Sequence, residues 1–132
     1  MEKVVRERAE LREKAIREAL EFSQCASRRL GRVAAILFGS YARGDFNEWS
    51  DIDVLVIAER LPANPLRRLD LVEECLELAP RVEPVVISVE EFHRLRGKNP
   101  AVLEALQSGV LLLDQLGLIL KEPAPQEEGS QP

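Results

Sequence analysis

The chain has 132 residues, carries a formal net charge of −5, and is 45% hydrophobic and 31% charged. That length suits one domain with one modest core, and the acidic balance argues against non-specific binding of duplex nucleic acid, which takes clustered Lys and Arg. The longest apolar runs, such as Ile52 to Ala58, fall far short of the ~20 residues needed to span a bilayer. Charge begins at Glu2 with no apolar stretch behind it, so no secretory leader and a cytoplasmic location are expected.

From Glu2 to about Leu30 there is no Gly or Pro, and good helix formers dominate. Val5, Ala9, Ile16, Ala19, Leu20, Phe22, Cys25 and Ala26 supply a broken apolar stripe at helical spacing. Lys3, Arg6, Arg8, Arg12, Lys14 and Arg17 alternate with glutamates, which reads as a salt-bridged helix surface rather than a polyanion site. Gly31 ends the helix. Val33 to Phe38 then reads as a buried strand that stops at Gly39-Ser40, where a short helix can begin. A polar turn segment from Arg43 to Ser50 leads into a second strand, Ile52 to Ala58, apolar on both faces as a central strand should be.

Asn64 and Pro65 supply the N-cap and first position of a helix that runs to about Leu78, with Leu66, Leu69, Val72, Leu76 and Ala79 turned inward. Val82 to Ile87 is a third strand; Ser88 and Glu91 form a capping box that opens a helix to about Leu95. Pro100 starts a further helix to about Gln107, and Ser108-Gly109 turns into a last strand, Val110 to Leu113. Beyond residue 120 the composition shifts to Pro, Gln, Glu, Gly and Ser, so 121–132 is expected to be a disordered tail on a domain of residues 1–120. Cys25 and Cys75 both fall in helical patterns and are expected to be buried free thiols in a reducing compartment. The order of elements predicts an α/β fold, a small sheet covered by helices.

The chemistry concentrates in Gly39-Ser40-Tyr41-Ala42-Arg43-Gly44 and Ser50-Asp51-Ile52-Asp53-Val54. A Gly-Ser turn between strand and helix frees backbone N–H groups for phosphate oxygens, and Ser40 adds a hydroxyl. Residues i and i+2 of a strand share a face with Cα atoms about 6.5–7 Å apart, so Asp51 and Asp53 point the same way. Two such acids repel one another and resist desolvation, and a divalent cation relieves both; solvated acids at a strand end are the alternative. Tyr41 and Trp49 fit either stacking on a base or capping the core. The single histidine, His93, reads as a surface residue.

Gly39-Ser40, a spacer of ten residues and Asp51-Ile52-Asp53 together resemble the signature of the DNA polymerase beta-like nucleotidyltransferase superfamily, and the fuller string resembles its minimal nucleotidyltransferase (MNT) branch. The resemblance implies a polymerase beta palm-like fold with a small mixed sheet. It also implies in-line transfer of a nucleotidyl group, with AMP from ATP as the expected donor chemistry and Mg²⁺ or Mn²⁺ as cofactor. Asp51 and Asp53 would hold metal, Gly39 and Ser40 would grip the β- and γ-phosphates, and Arg43 would add charge near the triphosphate unless Asp45 or a helix end holds it.

A third carboxylate is expected from a neighbouring strand: Glu83 would bind metal or activate the attacking hydroxyl, against the alternative of a solvated strand acid next to Pro84. The implied partner is a helical HEPN protein, modified on a tyrosine in a toxin–antitoxin pair, with nucleic acid reached only through a partner. A module that neutralises a partner by contact alone, without catalysis, is the competing expectation, and the long first helix suits docking or homo-oligomerisation.

Overall fold

The computed structural model describes residues 2–119. Helix α1 (Glu2–Leu30) is followed by β1 (Val33–Phe38), α2 (Ser40–Arg43), β2 (Ile52–Ala58), α3 (Pro65–Leu71), α4 (Glu73–Leu78), β3 (Val82–Ser88), α5 (Val89–Leu95), α6 (Pro100–Ser108) and β4 (Val110–Asp114). The strands form one sheet in the order β3-β2-β1-β4. β1 runs antiparallel to β2 and β4, whereas β2 and β3 are parallel, so the sheet is mixed. The expected tail, 121–132, lies outside the described residues.

Both central strands are buried on both faces, which is why their sequences read as apolar runs, interrupted in β2 by the half-buried Asp53. Val33, Ala35 and Leu37 of β1 and Ile52, Val54 and Val56 of β2 pack toward the side of α1 and α4. Ala34, Ile36 and Phe38, with Leu55 and Ile57, face α5 and α6 through Phe92, Val102 and Ala105. The first turns of α1, residues 2–10, are exposed, so Val5 and Ala9 of the expected stripe cover nothing; the buried part of the helix is Ala15, Ala19, Phe22, Ser23, Cys25 and Ala26.

The helix expected from Asn64 to Leu78 is two helices. Val72 breaks it at φ −111°, ψ 17°, so α3 packs on β3 while α4 packs on α1. Asn64 caps α3 through Leu66 N at 2.9 Å, as its sequence predicts. The inward face of α3 is different from the one expected: Leu66 is 70% exposed, and Arg68 is the residue turned inward, at 7%. Its guanidinium donates to Pro62 O (2.7 Å), to Val86 O (3.0 Å), and by two parallel bonds to the Glu91 carboxylate (2.8 and 3.0 Å). A buried cation with this many acceptors escapes the penalty that an unpaired one would carry. Ser88 and Glu91 form the expected capping box.

Cys25 and Cys75 are joined in a disulfide with Cα atoms 5.6 Å apart, tying α1 to α4 across fifty residues of sequence. This corrects the expectation of free thiols: the break at Val72 redirects α4 so that Cys75 meets Cys25, which helical periodicity could not reveal.

β3 is an edge strand, the place where Pro84 is tolerated because a missing N–H costs no ladder bond. The carbonyl of Val86 faces away from β2 into Arg68, and the N–H of Ser88 donates to Glu91 Oε1 at 2.8 Å. Along the outer edge of β3, a proline and an ion pair therefore stand where a further strand would dock.

Candidate functional site

Gly39 terminates β1 at φ 81°, ψ −157°, a conformation that L side chains rarely adopt. Its carbonyl accepts from Ala42 N and Arg43 N (3.1 and 3.0 Å), which starts the single turn of α2. Gly44 closes that turn in the left-handed region, with its N–H on Ser40 O at 2.8 Å. Ser40 stands half-buried at the head of the turn.

Two arginines of α1 fasten this segment from outside. Arg8 donates to Phe46 O (3.1 Å) and Gly44 O (2.8 Å), and Arg12 to Tyr41 O (2.8 Å) and Ala42 O (3.3 Å). These two basic residues thus satisfy backbone carbonyls at a helix end, a role that the expected salt-bridged surface did not include. Tyr41 is buried, stacked on Phe46 at 4.5 Å, and its hydroxyl accepts from Arg81 at 2.7 Å. It is therefore a core cap, and Trp49, 84% exposed, is not.

Asp53 lies on β2 opposite Phe38 and beside Glu83 of β3. On β2 it shares the face of Leu55 and Ile57, below α6. Its carboxylate rests against Gly39: a Cβ there would lie 2.2 Å from Asp53 Oδ2. Asp51 is exposed just ahead of the strand. Asp51 stands close enough to Glu83 for its charge to raise the Glu83 pKa, so all three acids predicted from sequence lie near the start of β2 and β3, at their seam.

The seam is charged beyond what the protein balances. Burial pushes the Asp53 carboxyl above its usual range, and the charges of Glu83, Asp51 and Glu104 push it further, with Arg43 opposing them. Glu83 is raised chiefly by the charge of Asp51. Arg43 itself is engaged by Asp45 at 3.3 Å and by Glu104, which raise its pKa. Arg43 thus pairs with Asp45, one of the two alternatives read from the sequence, and stands near enough to Asp53 to lower its pKa.

Among the described residues, no group of three or more His, Cys, Asp or Glu forms a ready-made metal cage. The donor set still fits a hard cation: oxygen ligands, excess negative charge, and open positions for phosphate oxygens and water, which is how Mg²⁺ is commonly held. Glu104, on α6, is the acid that the sequence pattern missed, because no motif spacing connects it with Asp53. The Arg8, Arg12 and Arg81 anchors were likewise hidden by their distance along the chain.

The nucleotidyltransferase domain profile matches residues 19–111, which include Gly39, Ser40, Asp51, Asp53 and Glu83. The chain belongs to the nucleotidyltransferase domain family. A putative protein adenylyltransferase of Methanocaldococcus jannaschii is 32% identical over 102 residues, covering 72% of this chain and 69% of that protein. Two further proteins of that organism with the same descriptive name match over shorter stretches, 32% and 46% of their lengths.

The nucleotidyltransferase fold is shared with the crystal structure of a putative nucleotidyltransferase from Sulfolobus solfataricus, at TM-score 0.63 and 22% identity over 82% of this chain and 87% of that one. A toxin–antitoxin structure with AMP-PNP shares it at TM-score 0.50 and 19% identity, over 83% and 76% of the two chains. Among the described residues, no helix of this nucleotidyltransferase is long and apolar enough to cross a membrane.

Proposed function

We propose that this nucleotidyltransferase transfers AMP from ATP to a hydroxyl group of a partner protein, with Asp51, Asp53 and Glu83 as its acidic centre. The observation that carries the reading is the seating of Asp53 against Gly39, with Glu83 in register beside it. The protein-adenylyltransferase names of the relatives support AMP and a protein acceptor.

Asp51 and Asp53 offer carboxylate oxygens at the point where a triphosphate would enter, and Glu83 completes the set. Mg²⁺ or Mn²⁺ bound there would neutralise phosphate charge and stabilise the leaving pyrophosphate. The Ser40 hydroxyl, with the backbone at Gly39, donates to the β- and γ-phosphate oxygens. Arg43 exchanges a carboxylate partner for phosphate, a trade its exposed position allows. The acceptor oxygen attacks the α-phosphorus, the bond from that phosphorus to the bridging oxygen breaks, and pyrophosphate departs. Glu83 takes the hydroxyl proton.

The partner we propose is a HEPN-family protein in a toxin–antitoxin pair, a reading supported by the resemblance of the Gly39-to-Val56 string to MNT proteins. The test is intact mass of such a partner after incubation with the enzyme and MgATP. A gain of one AMP is expected, absent with Asp53→Asn; an unmodified partner that is nevertheless neutralised by both proteins would overturn transfer in favour of contact.

A further inference from the structure

Trp49 is the most exposed large apolar side chain among the described residues, at 84%. Its ring takes part in none of the aromatic or cation–π contacts found among them. A mobile loop would let such a ring fold back onto the surface, but this turn is braced. Asn47 Oδ1 accepts from Trp49 N at 2.8 Å, Ser50 Oγ accepts from Asn47 N at 2.9 Å, and Ser50 N donates to Asn47 O at 3.1 Å. The Asn47 carbonyl also accepts from the hydroxyl of buried Tyr41 at 3.4 Å. The turn therefore fixes the backbone at Trp49, whose side chain stands in water.

Trp49 is two residues ahead of Asp51, so the two Cα atoms lie within ~7 Å of one another. An indole there is within a nucleoside's length of the acids that would meet the phosphates. The chain neighbours of Trp49 are Glu48 and Ser50, both polar, and Asn47 is exposed. A single exposed aromatic face in polar surroundings suits one flat ring.

We propose that Trp49 is the base platform of the site, its indole face stacking on the nucleobase of the nucleoside triphosphate. The inference rests on the nucleotidyl-transfer reading and extends it to base selection. Stacking tolerates every base but gains with ring area, so purines bind ahead of pyrimidines.

Trp49 is the sole tryptophan of the chain, which makes its fluorescence a direct reporter. MgATP is titrated into the full chain by fluorescence and by calorimetry, followed by MgCTP and by magnesium tripolyphosphate, which has no base. Indole emission should change with the calorimetric Kd for ATP, and CTP should bind more weakly. Trp49→Leu should weaken MgATP about 10-fold and leave tripolyphosphate unchanged, with Trp49→Phe retaining most of the affinity.

Binding of MgATP without an emission change, and with the same Kd in Trp49→Leu, overturns the platform while leaving the transfer reading in place. An equal loss for tripolyphosphate would assign Trp49 to support of the turn and overturn the platform too. No binding of MgATP to the wild type removes both.

Discussion

Gly39 and Asp53 fit together as backbone and carboxylate: a single methyl group at residue 39 would occupy the space that Asp53 Oδ2 fills, 2.2 Å away. The contact couples the end of β1 to the acid of β2, so the turn that would meet phosphate and the acid that would meet metal move as one.

Gly39→Ala adds that methyl group and also forces an L side chain to φ 81°, a strain of about 1–3 kcal/mol. The expected outcome is a folded protein, a few degrees less stable, with nucleotidyl transfer reduced at least ~100-fold by misplacement of Asp53. Circular dichroism melts and transfer kinetics check it; wild-type transfer in this variant would show that the contact does not position the acid.

Asp53→Asn should separate stability from activity. Burial and neighbouring acids raise the Asp53 pKa, so its ionised form is worse accommodated in the folded chain than in the unfolded one. The sign follows: the group destabilises the fold at neutral pH, and that cost fades as pH falls and the carboxyl takes up its proton. The amide should raise the melting temperature at pH 7, with the gap to wild type closing in acid, while metal-dependent ATP binding and transfer are lost. A lower melting temperature at pH 7 would contradict this account.

Glu91 behaves in the opposite sense. Arg68 holds its carboxyl down at about 2, below its usual 4.5, so the pair stabilises fully above about 4.5 and loses that stabilisation as pH falls toward about 2. Glu91→Gln should cost about 2 kcal/mol at neutral pH, less than a fully buried pair because a quarter of the Glu91 side chain remains in water. Urea unfolding midpoints from pH 7 to pH 3 would test it; equal pH slopes in variant and wild type would remove the pair from the explanation.

The Cys25–Cys75 bond closes a loop of fifty residues, for which chain-entropy reasoning gives a stabilisation of about 4 kcal/mol as an upper figure. Alkylation under denaturing, non-reducing conditions should label neither cysteine, and reduction should expose both. Cys75→Ala should lower the denaturation midpoint while leaving ATP binding intact, because the bond lies on the α1–α4 side of the sheet and Asp53 on the other. Two labelled thiols in the unreduced protein would refute the bond.

The strands could be read in advance because β1 and β2 are buried on both faces and their apolar runs have sharp ends at Gly39 and Asp51. Asp53 and Glu83 could be read because each stands near the start of its strand, and the two strands pair in register there. Where the prediction failed, tertiary partners decided the outcome. Helical periodicity turned Leu66 and Leu69 inward, yet the acceptors at Pro62, Val86 and Glu91 draw in Arg68 instead. Nothing local to Val72 announces the break that brings Cys75 to Cys25. Glu104 reaches the site from α6, and Arg8 and Arg12 reach it from α1, each across a separation that a linear motif does not span.

The outer rim of β3 bears on how the protein survives at high concentration. An unpaired parallel strand beside an apolar sheet is a template for stacking one molecule on the next, yet here Pro84 withholds a donor while Arg68 and Glu91 occupy the Val86 carbonyl and the Ser88 amide. The same ion pair that locks α3 to α5 thus acts as a guard against fibre growth. Acid that neutralises Glu91 loosens its pairing with Arg68, but Pro84 still withholds its donor and the Ser88 amide keeps an acceptor, so the rim stays guarded as long as the fold lasts.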